Sequence, residues 1–240
     1  MARMIGVDQT SDLWQAARVG RITGSRIDDL LAPPTTRAST RKGVSYPAGS
    51  EALCREEYRN DLRVERIYWR AVDHPTNKFM LAGTEREPFA RQLYEAEEMV
   101  VVQQVGFCLH DEWDWFGCSP DGLVGTDGGV ELKCPSETVH DSYRRNIDTL
   151  VEEYKGQCLS GLLCFPKREW WDLCAFNPYA PADRMLLKAP RFHRSDWAET
   201  LALIQDKAME FNAQIEKMLA DEGLPPTQWR IMPKEDGAIE

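Results

Sequence analysis

The pattern of apolar and polar positions along the chain predicts helices on both sides of a central run of strands. Six segments are predicted as helical, which are 12–31, 51–69, 84–98, 137–145, 149–163 and 195–222. Apolar residues recur at helical spacing in 12–31 and 195–222, whereas 51–69 is predicted as a polar helix. The first segment contains Gly20 and Gly24, and it is therefore predicted as a helix, a turn and a second helix that begins near residues 23–25.

Residues at the ends of two segments have the chemistry of helix caps. Thr84 and Glu87 have the spacing of a capping box, which predicts a helix that starts at Thr84. In the last segment, Ser195 is the predicted N-cap, and Gly223 is the predicted stop. The apolar stripe of that long C-terminal helix consists of Trp197, Leu201, Ile204, Ala208, Phe211, Ile215 and Met218.

Strand patterns fill the space between the helices. Residues 99–134 are rich in β-branched residues and turn signals, which predicts three or four short strands, and 168–178 and 184–192 predict two more. The Pro-, Ser- and Gly-rich segment 32–50 is predicted to be a mobile, basic loop. We therefore expect an α/β protein in which residues 1–240 form a single domain.

Composition excludes several classes of protein. The net charge of −10 argues against a general polyanion binder, and no apolar run is long enough to span a membrane. The amino terminus lacks the apolar core of a signal peptide, which predicts a cytoplasmic protein. Seven cysteines without a CxxC pair, and four histidines without ligand spacing, indicate reduced thiols rather than disulfides, zinc or an iron–sulfur cluster.

The segment 119–135, SPDGLVGTDGGVELKCP, contains the strongest candidate site. Glu131 and Lys133 share one face of a predicted strand, because side chains alternate along a strand. Turn-forming residues at 127–129 fold this strand against the one that begins at Asp121. Asp121, Glu131 and Lys133 are therefore expected to meet in one small site.

Two neighbouring carboxylates repel each other, and a divalent cation removes that cost. Asp121, Glu131 and the carbonyl of Leu132 would bind Mg²⁺, or Mn²⁺ in its place, and leave positions for water and phosphate. Lys133 would orient or deprotonate the attacking water, which predicts metal-assisted hydrolysis of a phosphodiester. The alternative is a surface hairpin that carries ordinary exposed charges.

A cationic group is predicted on the segment that follows the first helix. Arg18, Arg21, Ser25 and Arg26 surround the predicted start of the second helix, where free backbone N–H groups favour phosphate. A solvated cationic face is the alternative. Trp14 is predicted to be a core aromatic residue rather than a base-stacking platform.

Several motifs together resemble those of the lambda-exonuclease (YqaJ-type viral recombinase) family of PD-(D/E)xK nucleases. They are WQAARVGRITGS at 14–25, the G-x-x-x-E of 83–87, SPDGL, ELKCP, YKGQ at 154–157 and QWR at 228–230. The resemblance covers most of the chain in order, but residues 32–70 match poorly.

The resemblance implies a fold, an activity and partners. The fold would be restriction-endonuclease-like, with a central mixed sheet flanked by helices. The activity would be a Mg²⁺-dependent exonuclease that degrades one strand of linear double-stranded DNA from its 5′ end in phage recombination. By the same resemblance, a homotrimer, a single-strand annealing protein as partner and a phage or prophage origin in a bacterial cell are expected.

The resemblance also implies roles for individual residues. Glu87 and Gln157 would join Asp121, Glu131 and Lys133 in the catalytic site. The terminal 5′-phosphate would be bound by Arg18, Ser25 and Ser119. Asp111 matches an acidic position upstream of SPDG.

Two other functions remain open from the sequence. The same metal site would also serve a nuclease that cuts internally, although a 5′-phosphate pocket at Arg18 and Ser25 would then have no use. A DNA-end-binding subunit without activity would keep the fold, but its catalytic residues would be free to decay, whereas Asp121, Glu131 and Lys133 are intact.

Overall fold

The computed structural model of the protein describes residues 3–5, 9, 11–41, 44–72 and 78–229, and over these ranges helices surround mixed β-sheets. The described helices are α1 (Asp12–Arg18), α2 (Ile27–Leu31), α3 (Leu53–Tyr68), α4 (Lys78–Glu98), α5 (Glu137–Arg145), α6 (Ile147–Cys164) and α7 (Ala198–Asp221). Short 3₁₀ turns precede α2 and α7.

Twelve strands are found in the described ranges. They are β1 (Arg3–Ile5), β2 (Ile22–Thr23), β3 (Ser39–Arg41), β4 (Val44–Tyr46), β5 (Val102–Gln103), β6 (Phe107–Leu109), β7 (Phe116–Cys118), β8 (Gly122–Val124), β9 (Gly128–Lys133), β10 (Trp170–Phe176), β11 (Leu186–Lys188) and β12 (Phe192–His193). The predicted α/β class is confirmed.

The main sheet has the strand order β11-β10-β9-β8-β5, with β12 also paired to β10. The long strands β9 and β10 run parallel, and Glu131 lies opposite Leu173 in their register. The other pairings in this sheet are antiparallel, which makes it a mixed sheet as expected. A second sheet has the strand order β1-β6-β7-β2, and helix α1 packs Ala17 against Phe107 and Leu109 of this sheet.

Both faces of the main sheet are covered by helices. On one face, Gly161 of α6 lies close to the ring of Trp171, and the core includes Leu159 and Leu173. On the other face, α4 packs Ala90 and Tyr94 against the side of β9 that carries Val130 and Leu132. Strand β9 is therefore buried on both sides, and the alternative of an exposed surface hairpin is wrong.

The β8–β9 hairpin differs from the prediction in its turn. Residues 125–127 form the turn, whereas Gly128 and Gly129 already belong to β9. The glycines are required there by the neighbouring strand, because a Cβ at Gly129 would lie 2.5 Å from the indole ring of Trp171. The Gly pair thus makes room for two tryptophans instead of forming the turn.

Two predicted helix caps are wrong. Helix α4 begins at Lys78, so Thr84 and Glu87 lie in its interior and form no capping box. Ser195 lies within the 3₁₀ turn Arg194–Trp197, and α7 starts only at Ala198. The predicted stop is confirmed, because Gly223 follows α7 with a φ of 76°.

The first helical segment follows the prediction with a small shift. Helix α1 ends at Arg18, and α2 begins at Ile27 rather than near residues 23–25, because Ile22 and Thr23 pair with β7 as a strand. The stripe on α7 is buried as predicted from Leu201 to Ile215, and Leu219 takes the place expected for Met218. Trp197 lies in the 3₁₀ turn before α7 and is only partly buried.

The region predicted as three or four strands contains five. Val102 pairs with Val124 in the main sheet, whereas Phe107 pairs with Ile5 in the second sheet. The apolar run 99–109 therefore breaks into β5 and β6, because its two halves belong to different sheets.

The predicted loop 32–50 contains the two-stranded hairpin β3–β4. Residues 42–43 of that loop lie outside the described residues, as does Arg230 of the QWR motif. The mobility of the segment 32–50 and the single-domain organisation stay predictions.

All seven cysteines are free, which confirms the prediction of reduced thiols. Among the described helices none is both long enough and apolar enough to cross a membrane.

A buried ion pair joins β10 to the chain after β11. Asp172 is fully buried and accepts hydrogen bonds from Arg191 Nε (2.7 Å), Arg191 Nη2 (2.8 Å) and the Tyr94 hydroxyl (2.7 Å). Burial alone would raise the pKa of Asp172, but these hydrogen bonds outweigh it and hold the pKa below its ordinary value. The pair fixes α4 and the end of the sheet to one another.

We predict that Asp172→Ala lowers the free energy of unfolding by about 3 kcal/mol, because it leaves Arg191 and Tyr94 without their buried acceptor. Urea unfolding at neutral pH measures the loss. The pKa of Asp172 is depressed in the folded state, so its contribution is present above the ordinary Asp pKa and is lost as the pH falls. The difference in free energy of unfolding between Asp172→Ala and the unmodified protein should therefore become smaller in acid.

Asp141→Ala is the control, because Asp141 pairs with Arg144 on the exposed surface of α5. An equal shift of the urea midpoint in both variants would contradict a special role for the buried pair.

Candidate active site

A cavity of about 680 Å³ lies where β9, α4, α6 and the segment before β8 meet. Nine of the predicted site residues line it, and these are Arg18, Ser25, Glu87, Ser119, Asp121, Glu131, Leu132, Lys133 and Gln157. The structure therefore brings together residues from five separate parts of the chain.

Asp121 and Glu131 lie side by side because of the β8–β9 register. Gly122 pairs with Val130, so the preceding Asp121 stands next to Glu131 on the neighbouring strand. The two carboxyl groups are within hydrogen-bonding contact, and Asp121 Oδ2 also accepts a hydrogen bond of 2.6 Å from the Leu132 backbone N–H. The expected convergence of the two carboxylates is present.

Burial makes this pair electrostatically costly. Glu131 is only 2% exposed, and its burial together with the charge of Asp121 raises its pKa to about 8. Burial also raises the pKa of Asp121. The pKa of Glu87 is raised as well, mainly by burial and to a smaller extent by the charge of Asp121. The site thus holds more negative charge than water-excluded surroundings normally allow.

Lys133 compensates part of that charge. Its Nζ donates hydrogen bonds to Glu131 Oε1 (2.5 Å) and Gln157 Oε1 (3.0 Å), and it lies 4.8 Å from the ring centre of Tyr154. Burial disfavours the ammonium, but the charges of Glu131 and Asp121 outweigh burial and raise the pKa of Lys133. Lys133 is therefore held as a cation.

Glu87 reaches the cavity from α4, on the far side of the carboxylate pair from α6. It pairs with Arg91 one helical turn along. Since Glu87 is inside the helix, a capping role no longer competes with a place in the site. Glu87 and Asp121 line the same cavity, and the charge of Asp121 contributes to the raised pKa of Glu87.

A second cluster lines the cavity around Arg18. Arg18 Nη2 donates a hydrogen bond to Ser25 Oγ (3.1 Å), and Arg18 Nη1 donates one to Ser119 Oγ (3.4 Å). Ser119 follows the end of β7 and precedes Asp121 by two residues, so the chain itself links this cluster to the carboxylates. A guanidinium with two hydroxyl groups has the donors that a phosphate group accepts.

Trp14 packs against the core residues Ala17, Phe107 and Leu109 as predicted, and its polar edge also belongs to this cluster. Its Nε1 donates a 2.9 Å hydrogen bond to Ser119 Oγ, and the Arg18 guanidinium lies 4.3 Å from its ring centre. The four-residue interval between Trp14 and Arg18 places both on one face of α1, a signal that the sequence already contained.

Two other lining residues were missed. Gln9 donates to the carbonyls of Val105 and Pro120, and so supports the segment before Asp121. Tyr154 lies beneath Lys133 and is one turn before Gln157 on α6. The motif YKGQ contains Tyr154 as well as Gln157, but a role was predicted only for Gln157.

Some candidates lie elsewhere. Arg21 is buried and bonded to the carbonyls of Ala17 and Asp114, and Arg26 pairs with Asp29 and Asp61. The predicted cationic group around a helix start is therefore wrong for both arginines, which have structural partners instead.

Asp111 also lies outside the cavity, beside His110. Trp113 and Trp115 stack on each other with ring centres 5.0 Å apart, and neither lines the cavity. Trp171 of β10 does line the cavity.

The donor set of the cavity fits a hard divalent ion. In the part of the chain that the structure describes, no three His, Cys, Asp or Glu side chains form a metal-binding group. The available oxygens are those of Asp121, Glu131 and the Leu132 backbone, and all three residues line the cavity. Few protein oxygens in a buried, excessively negative site suit Mg²⁺, which keeps water and phosphate among its ligands.

Comparison with known proteins gives a family match for most of the chain. The family model described as the YqaJ-like viral recombinase domain matches residues 13–165. Comparison with curated proteins gives no significant match.

Solved structures give further matches. One is the crystal structure of an alkaline exonuclease, LHK-Exo, from Laribacter hongkongensis, with 29% identity, coverage of 89% of this chain and 96% of that chain, and a TM-score of 0.73. LHK-Exo in complex with dAMP matches with 28% identity, coverage of 89% and 98%, and a TM-score of 0.72. A phage-related exonuclease from Haemophilus somnus 129PT shares the fold at 10% identity, with coverage of 84% and 96% and a TM-score of 0.61.

These matches support a nuclease, specifically an exonuclease that acts on DNA.

Proposed function

The chain belongs to the YqaJ-like viral recombinase family, and we propose that it is a Mg²⁺-dependent exonuclease that degrades one strand of linear double-stranded DNA from its 5′ end. A single observation carries this proposal. One cavity contains both the carboxylate pair Asp121–Glu131 and the Arg18–Ser25–Ser119 cluster.

The second cluster supports a preference for 5′ ends. A terminal phosphate monoester carries more charge and more free oxygens than an internal phosphodiester, and Arg18 with two hydroxyl donors complements it. An enzyme that cuts internally meets no terminal phosphate. The internal-cutting alternative is therefore less well supported by this cavity.

The proposed metal site consists of Asp121, Glu131 and the carbonyl of Leu132, with Mn²⁺ able to replace Mg²⁺. When bound, the ion would polarise the scissile phosphate and lower the pKa of a water molecule. Asp121 is held for this role by the hydrogen bond from the Leu132 N–H, and Glu131 by its bond to Lys133.

Lys133 and Gln157 are proposed to serve the attacking water and the phosphate. Because Lys133 is held as an ammonium, it is suited to donate to the water or to the phosphate oxygens rather than to remove a proton. Gln157 fixes the Lys133 ammonium on the side of α6, and Glu87 adds a third acid at the rim of the site.

The proposed reaction breaks the bond between phosphorus and the 3′ oxygen of the first nucleotide. The water oxygen bonds to phosphorus, and the 3′ oxygen leaves with a proton as a hydroxyl group. The products are a nucleoside 5′-monophosphate and a shortened strand with a new 5′-phosphate, which can occupy the Arg18 cluster in turn. The dAMP in the LHK-Exo complex belongs to this class of product.

The homotrimer, the single-strand annealing partner and the cytoplasmic, phage-encoded setting stay proposals that rest on the family. Sedimentation of the purified chain would test the trimer. A subunit without activity is disfavoured, because Asp121, Glu131, Lys133 and Gln157 are all present and correctly grouped.

We predict that Mg²⁺ is required and that digestion starts at 5′ ends. Two linear duplexes are compared, one labelled at the 5′ end of a strand and one labelled at its 3′ end. The 5′ label should be released first, as a mononucleotide, and EDTA should stop the reaction. A covalently closed circle is the control and should stay intact. Cutting of the circle would indicate an internal nuclease, and early release of the 3′ label would reverse the proposed polarity.

Lys133→Ala should lower kcat by about 10²- to 10³-fold, because it removes a donor to the charge that develops on the phosphate. Binding of the duplex should change little, since this donor acts mainly in the transition state. Lys155→Ala is the matched control, because Lys155 is a surface lysine of α6 that pairs with Glu152 and does not line the cavity. A Lys133→Ala enzyme with normal turnover would remove this residue from the mechanism.

Arg18→Ala should reduce the preference for 5′-phosphorylated over 5′-hydroxyl ends, because the guanidinium is the one charged donor of its cluster. Initial rates on the two duplexes measure the preference. Arg145→Ala is the control, since Arg145 pairs with Asp141 on exposed α5. If the unmodified protein digests both ends equally, the assignment of the phosphate pocket is wrong.

A further inference from the structure

Arg86 lines the cavity from α4, whereas Arg18 lines it from α1. The two arginines contact different aromatic rings, because Arg86 lies beside Tyr179 and Arg18 lies beside Trp14. The cavity therefore contains a second arginine that is separate from the Arg18 cluster. The Arg18 cluster was assigned above, but Arg86 has no role in that assignment.

The contacts of Arg86 leave its charge available. Its guanidinium lies 5.3 Å from the ring centre of Tyr179, and it forms no ion pair with any side chain that the structure describes. The neighbouring Glu87 is instead paired with Arg91. An arginine in a cavity, supported by an aromatic ring and without a carboxylate partner, is suited to bind an anion.

Tyr179 is exposed, yet its position is fixed by the fold. Its side chain is 72% exposed, which is unusual for a large aromatic residue with a rigid support. Its backbone N–H donates to Asn177 Oδ1 (2.9 Å), and Asn177 is buried and donates through Nδ2 to the carbonyl of Pro135 (3.0 Å). Pro135 is itself part of the cavity wall, so the ring is tied to the active site.

We propose that Arg86 and Tyr179 form a second DNA contact, which binds the sugar–phosphate backbone of the digested strand on the 3′ side of the scissile phosphate. This inference rests on the proposed function, in which the terminal phosphate occupies the Arg18 cluster and the next phosphate lies at Asp121 and Glu131. The strand then leaves the cavity past Arg86. Arg86 supplies the charged donor, and Tyr179 orients it and presents a face to the adjoining nucleotide.

The test measures binding apart from cleavage. A short 5′-phosphorylated duplex, fluorescently labelled at its distant end, is titrated with protein in the Lys133→Ala background, and the dissociation constant is measured over a range of salt concentrations. Arg86→Gln should weaken binding by about tenfold and reduce the salt slope by about one, as expected for loss of one phosphate contact. Arg86→Lys should restore most of the slope.

Tyr179 is tested in the same assay. Tyr179→Phe should bind as the parent does, because the ring is kept, whereas Tyr179→Ala should weaken binding. Arg184→Ala is the matched control, since Arg184 is an exposed arginine just beyond the same loop and pairs with Asp183. Thermal unfolding of each variant checks that the fold is kept.

Two results would overturn the proposal. One is a dissociation constant and salt slope for Arg86→Gln equal to those of Arg184→Ala. The other is a loss of the preference for 5′-phosphorylated ends in Arg86→Gln, which would place Arg86 in the terminal-phosphate cluster instead. Failure of the proposed function looks different, because the unmodified protein would then not digest 5′ ends even though Arg86-dependent binding persisted.

Discussion

The placement of two acidic side chains at buried positions of one cavity is the constraint on which the rest of the molecule depends. Asp121 and Glu131 repel each other, and burial makes the repulsion stronger, which raises the pKa of Glu131. Such a pair persists only if rigid surroundings prevent its separation. The β8–β9 register, the Leu132 N–H and the Lys133 ammonium provide that rigidity.

Much of this arrangement could be predicted from the chain alone. Alternation along a strand placed Glu131 and Lys133 on one side, and that relation holds in the structure. The long helices were also predictable, because apolar periodicity over 16 or more residues leaves little ambiguity. The local pattern already placed Arg18 and Ser25 in a phosphate-binding group, but Ser119 joined it only through the resemblance, since its meeting with Arg18 depends on tertiary packing.

The wrong predictions have a common cause in long-range packing. Thr84 and Glu87 satisfied the local rule for a cap, but α4 extends well before them. Gly128 and Gly129 satisfied the local rule for a turn, but their small size is needed against tryptophans from a distant strand. The core prediction for Trp14 was right but incomplete, because its ring packs against the core while its N–H has a polar partner 105 residues away, which no local pattern could reveal.

The ring of Trp171 is held between two backbones with no room on either side. A Cβ at Gly129 of β9 would lie 2.5 Å from it, and a Cβ at Gly161 of α6 would lie 2.6 Å from it. The indole thus acts as a spacer that sets the gap between sheet and helix, and hence the reach of Gln157 toward Lys133. In any redesign of the protein, Gly129, Gly161 and Trp171 therefore depend on one another sterically. They must be exchanged together or left untouched, whereas a Cβ at Gly83 would face open space.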